Sequence, residues 1–121
     1  MRIDKDLVAA SATPLVLGIL AGGDLYGYAI LKRVGELSGG GMQWTDGMLY
    51  PLLHRLERLG YVTSLWGTSD AGRRRKHYAI TPAGREALAD RQEQWTVVAA
   101  ALRQVWQSTP RPSGGIVEGW A

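Results

Sequence analysis

A mainly α-helical α+β fold is predicted by three observations. Three segments with apolar residues at helical spacing come first, two segments rich in β-branched and aromatic residues follow around a turn, and one long amphipathic segment comes after them. The chain has 121 residues and 45% hydrophobic content, enough for one compact core with a helix to spare.

The first helix is expected to start near Asp6 as its cap and to carry Leu7, Ala10, Leu15, Leu17, Ile19 and Leu20 up to the stop at Gly22-Gly23. Pro14 removes a backbone donor inside it, which predicts a kink or a helix in two pieces. The second helix is read over Leu25 to Leu37, from Tyr26, Ala29, Ile30, Val34 and Leu37, and the run Gly39-Gly40-Gly41 ends it. Thr45 and Asp46 are both cap candidates for a third helix in which Leu49, Leu52, Leu53, Leu56 and Leu59 form the buried face. That leaves Asp46, Gly47, Met48, Tyr50, Pro51, His54, Arg55 and Arg58 on or near the opposite side, and Gly60 ends the helix.

The segments from Tyr61 to Thr68 and from Lys76 to Thr81 read as a hairpin whose turn contains Asp70 and Gly72. Its tip is basic, because Arg73, Arg74, Arg75 and Lys76 are consecutive. These four charges exceed the whole net charge of +3, so the basicity is local and suits a phosphate contact better than diffuse adsorption to a membrane. Thr81 as cap and Pro82 at the first helical position open a last helix that runs to about Gln107, before Pro110 and Pro112.

Several function classes are excluded at this stage. The chain has no cysteine, which removes disulfides, thiolate metal sites and a thiol nucleophile, and accords with a reducing cytoplasm. The longest apolar run, Thr13 to Ala21, is too short to span a bilayer, and the start lacks the basic flank of a signal peptide; a soluble cytoplasmic protein is expected. The only histidines, His54 and His77, stand in no metal-ligand spacing, and no phosphate-binding glycine loop is present, so neither an enzyme nor a bound cofactor or metal is expected.

Three helices followed by a two-stranded ribbon is the order of a winged helix-turn-helix, in which the third helix enters a major groove and the ribbon reaches the flanking backbone. Thr45, Tyr50, His54 and Arg55 are the candidate base readers, with Gly47, Met48 and Pro51 completing the face and Arg73 to Lys76 as backbone contacts. Each reader has a plainer alternative: Thr45 as a cap, Tyr50 as a cover for the core, Arg55 as a solvated charge. The alternative for the module as a whole is binding of protein or RNA, since fold alone does not dictate function.

Four ordered motifs carry a family resemblance. Leu25-Tyr26-Gly27-Tyr28 resembles the G-Y signature of the PadR family, and Asp46-Gly47-Met48-Leu49-Tyr50-Pro51 resembles its G-x-L-Y-P motif, continued by Leu53, Arg55, Leu56 and Glu57 as L-x-R-L-E. The segment Gly72 to Tyr78 resembles G-R-x-R-K-x-Y, and Ile80-Thr81-Pro82-Ala83-Gly84 resembles L-T-x-x-G. The resemblance implies a transcriptional repressor that dimerises through its C-terminal helix and leaves its operator when a small molecule binds. The short C-terminal part is similar to the small, multidrug-binding subclass with one dimerisation helix. There a tryptophan pairs across the dimer axis, which implies that Trp95, with Val98 and Ala99 and with Leu7, Ala10 and Pro14 of the first helix, lines an apolar ligand site for a planar aromatic or cationic molecule.

The spacing supports the assembly independently. Leu88, Trp95, Val98, Leu102 and Val105 recur at intervals close to a coiled-coil seam, with Trp106 beside it. A homodimer on a palindromic double-stranded operator is the expectation, with residues 1–81 as the DNA-binding domain whose first helix also serves the dimer, 82–107 as the dimerisation helix and 108–121 as a flexible tail. For Trp95 the plain alternative is a core filler.

Overall fold

The computed structural model describes residues 1–68 and 71–108. Four helices, α1 (Lys5–Ala21), α2 (Gly27–Leu37), α3 (Asp46–Arg58) and α4 (Pro82–Gln107), combine with strands β1 (Leu25–Tyr26), β2 (Val62–Thr68) and β3 (Arg74–Ile80). The sheet is antiparallel in the order β1-β3-β2. The chain divides into a compact unit of Met1–Ala89 and a second unit that begins at Asp90, within α4. The tail expected over 108–121 lies outside the described residues from 109 onward, as does Asp70 of the hairpin turn.

The first unit is held by one core. Val16, Leu17 and Leu20 of α1 meet Ile30 and Val34 of α2, Leu49, Leu53 and Leu56 of α3, and Val62 and Tyr78 of the sheet, all 2% exposed or less. Full burial of such a side chain stabilises by about 1.5–3 kcal/mol. The three aliphatic residues of α1 therefore outweigh the roughly 3 kcal/mol that an interior proline costs, and α1 continues through Pro14 as one helix instead of breaking in two. Its N-cap is Asp4, not Asp6, which lies in the first turn.

Three further expectations are corrected. Leu25 and Tyr26 do not begin the second helix; they form β1 and pair with Tyr78 and His77. Leu59 is 53% exposed because α3 ends at Arg58 and Leu59 is already its C-cap, past the buried stripe. The second wing strand starts at Arg74, so most of the basic run lies in the ladder and not at the tip. Thr81 caps α4 as expected: its hydroxyl accepts from the Gly84 N–H at 3.0 Å and donates to the Gly60 carbonyl at 2.6 Å. Gly84 is required there, since a Cβ would collide with the Tyr61 carbonyl.

Candidate nucleic-acid interface

The orientation of α3 follows from three of its leucines. Leu49, Leu53 and Leu56 are fully buried, which turns Gly47, Met48, Pro51, His54, Arg55 and Arg58 outward to solvent. Thr45 occupies the N-cap position but makes no side-chain capping bond, and it is exposed. Arg55 is tethered toward α1, where its guanidinium donates to Oγ1 of the buried Thr13 at 3.3 Å.

Tyr50 is placed differently from the other candidates. It is half-buried against the core, and its phenol lies over Gly27 at the start of α2, so closely that a Cβ on Gly27 would collide with it. Gly27 and Tyr50, which belong to two separate sequence motifs, are thus one contact between α2 and α3. Tyr50 thus packs against the core while remaining partly exposed.

The wing is fixed to α3 by Glu57. Its carboxylate accepts from Ser64 Oγ of β2 at 2.8 Å and lies 3.8 Å from Lys76 Nζ of β3. Both partners of the ion pair are about two-thirds buried, at 33% and 29% side-chain exposure. Tyr78, next on the same face of β3, has its phenol pKa raised above the ordinary 10.0, chiefly by burial and then by the charge of Glu57 and the proximity of Tyr50.

Alternation along β3 divides the basic run. Arg74 and Lys76 point to the face that carries Tyr78 and meets Glu57, whereas Arg75 points to the face that carries His77. Each rests on an aromatic ring: Arg74 lies 4.9 Å from the centroid of Trp66, Arg75 lies 4.5 Å from Tyr26, and Lys76 lies 5.8 Å from Tyr78. Tyr26 also stacks on His77 at 5.7 Å. Lys76 is in addition ion-paired to Glu57. Arg73 precedes the strand and is exposed.

Four residues of this arrangement escaped the sequence reading as site residues: Glu57, Ser64, Trp66 and Tyr26. Glu57 ended a recognised motif, and strand alternation would have put Ser64 and Trp66 on one face, but no local signal indicates that Tyr26 sits under Arg75.

The residues expected to line a ligand site fall in two units. On α1, Leu7 and Ala10 are exposed and Pro14 is half-buried. In the unit beginning at Asp90, Trp95 and Ala99 are half-buried, and Val98, Leu102, Val105 and Trp106 are exposed. Leu88 belongs to the first unit and packs on its core.

A helix presented outward on a leucine base, with a cationic ribbon braced to it, defines a DNA-binding regulator of winged helix-turn-helix type. The model of the PadR-like transcriptional regulator family matches residues 16–90, and the chain belongs to that family. It is similar to a transcriptional regulator of Mycobacterium tuberculosis, with 49% identity over 55 residues that span 46% of this chain and 50% of the relative. An uncharacterised protein of Lysinibacillus sphaericus is 25% identical over 79% of this chain and 88% of its own length.

Solved structures agree. A transcriptional regulator from Clostridium thermocellum superposes with a TM-score of 0.75 at 28% identity, covering 83% of this chain and 97% of its own. A PadR family regulator from Eggerthella lenta gives 0.72 at 30% identity over 86% and 88%. The protein is accordingly a DNA-binding transcriptional regulator and not an enzyme. Among the described residues no helix is long and apolar enough to cross a membrane.

Proposed function

We propose that the chain acts as a homodimeric repressor. Each subunit lays α3 in a major groove, with Thr45, Tyr50, His54 and Arg55 reading base edges, Gly47, Met48 and Pro51 close to the groove floor, and Arg73, Arg74, Arg75 and Lys76 on the adjoining backbone. The observation that carries this reading is the Glu57 brace, because it places the cationic strand and the exposed face of α3 in one fixed frame. The dimer is supported by the apolar stripe of α4, where Val98, Leu102, Val105 and Trp106 remain 40–61% exposed. Exposed apolar surface of that extent on one helix calls for a partner. In this reading residues 1–81 form the DNA-binding domain, 82–107 the dimerisation helix, and the operator is palindromic.

Selection of bound sequences from random duplex DNA tests the proposal. A motif with two half-sites about one helical turn apart is expected. An asymmetric motif, or no enrichment, overturns it.

Ligand control completes the proposal. Two copies of Trp95, one from each subunit, would sandwich a planar aromatic or cationic molecule by stacking and cation–π attraction, with Leu7, Ala10, Pro14, Val98 and Ala99 around it. The half-burial of Trp95 beside the exposed Val98 supports this. Titration with planar dyes should quench tryptophan fluorescence, and Trp95→Ala should abolish the effect; unchanged quenching in the variant rules the site out.

A further inference from the structure

Of the three cation–ring pairs on the wing, one differs in its surroundings. Arg75 and Lys76 are half-buried; the rings beneath them are the half-buried Tyr26 and the buried Tyr78. Those two pairs belong to the packing of the sheet. Arg74 and Trp66 are both exposed, the indole at 57%, with the guanidinium carbon 4.9 Å from the ring centroid. Trp66 belongs neither to the core nor to the side chains packed against it.

Strand parity fixes where this pair stands. Outward along β2, Val62 is buried in the core, Ser64 donates to Glu57 of α3, and Trp66 is next on the same face. The same face of β3 carries Tyr78, Lys76 and Arg74 in turn. Trp66 is in register with Lys76, so Arg74 reaches it on the diagonal, a span open to long side chains. The pair therefore lies on the side of the sheet turned to α3, one step outward of the contact with Glu57.

The ring leaves the charge free to act. The N–H donors of a guanidinium lie in its own plane, so an arginine seated on an aromatic face keeps them for an anion. Among the described residues no carboxylate oxygen lies within 4.0 Å of Arg74, so the indole and not a counter-charge holds it. An arginine without such support loses rotamer freedom when it meets a phosphate; a ring beneath it removes part of that loss in advance.

We propose that Trp66 is a positioning residue for duplex binding, which holds Arg74 toward the DNA backbone beside the groove that takes α3 and acts through that arginine. The inference rests on Arg74 meeting the backbone, as proposed above. Approach of the duplex drives water from the pair, and the attraction between cation and ring grows as it is desolvated.

The test uses the full chain and a duplex of random sequence, with affinity measured across a range of salt concentrations. Trp66→Ala should weaken binding about fivefold, the size of one partly desolvated cation–π contact, and should lower the log–log salt slope in the same sense as Arg74→Gln. Trp66→Leu, which keeps apolar bulk and removes the π face, should behave like Trp66→Ala, whereas Trp66→Phe should recover most of the affinity. Combined with Arg74→Gln, Trp66→Ala should bind within about twofold of Arg74→Gln alone, because two residues that act as a unit do not add. Thermal midpoints of the Trp66 variants should match wild type, since the ring is exposed.

Wild-type affinity in Trp66→Leu, fully additive losses in the double variant, or weakened binding at an unchanged salt slope overturns the inference. So does a clearly lowered midpoint in Trp66→Leu, which would make the ring a structural support. Indifference of Arg74→Gln itself would defeat the reading of the wing, whereas an effective Arg74→Gln beside indifferent Trp66 variants would defeat only the role given to Trp66.

Discussion

Glu57 Oε2 on α3 accepts a hydrogen bond of 2.8 Å from Ser64 Oγ on β2, and the same carboxylate holds Lys76 of β3 at 3.8 Å. One side chain therefore sets the wing against the helix. The pair with Lys76 is about one-third exposed, so its own worth is modest and most of the effect lies in the hydrogen bond.

Glu57→Gln keeps the shape and removes the charge. A loss of about 1 kcal/mol in chemical denaturation is expected, from a charge-assisted bond made neutral. DNA affinity should fall by more than stability does, because the variant still folds with a loosened wing. A variant with wild-type affinity would show that the brace does not position the wing.

The division of the basic run between two faces separates residues that the sequence treats as equivalent. Arg74→Gln should weaken all duplexes alike and lower the log–log salt slope by about 1, the value for roughly one phosphate contact. Arg75→Gln, on the face away from Glu57, should change the slope less. Equal slopes would mean that the two faces of β3 contribute equally to the backbone contact.

Gly84→Ala and Gly27→Ala are expected to fail in different ways. At Gly84 the added methyl meets the Tyr61 carbonyl, a backbone atom that cannot swing aside, so a loss of about 1–3 kcal/mol and a clear drop in the thermal midpoint should follow. At Gly27 the methyl meets the end of the Tyr50 side chain, which can rotate away. Gly27→Ala should melt closer to wild type while altering sequence preference, measured by repeating the duplex selection.

Much of this was legible beforehand, for stated reasons. Leu49, Leu53 and Leu56 revealed the inner face of α3 through helical spacing alone, and Thr81 with Pro82 revealed the start of α4 through capping chemistry. The strand β1 was not legible, since two residues carry no periodicity and Leu25 and Tyr26 are extended only because β3 lies beside them. Continuity of α1 through Pro14 was hidden for the same reason: local cost argued for a break, and tertiary burial of Val16, Leu17 and Leu20 decided otherwise. The position of Tyr50 over Gly27 joins residues distant in sequence, where pattern has no reach.

The raised pKa of Tyr78 predicts a pH limit. Below pH 10.0 the phenol is neutral in both folded and unfolded chains and there is no difference to lose. As pH rises past that value the unfolded chain ionises first, so stability falls until the folded phenol ionises as well. Denaturant melts between pH 9 and 11 should show a steeper decline than those of Tyr78→Phe, in which only the other groups titrate. Parallel declines would place the loss elsewhere.

Assignment of the wing charges to two faces depends on parity. Strand β3 pairs on both sides, with β1 and with β2, so its residues cannot rotate one by one. Lengthening the turn before Arg74 leaves the ladder untouched, whatever the number of residues added. A single residue inserted between Arg74 and His77 sends Arg74 to the side now held by Arg75, while Tyr78 stays in the core. Length variation in this wing is thus neutral on one side of Arg74 and rewires the charge pattern on the other.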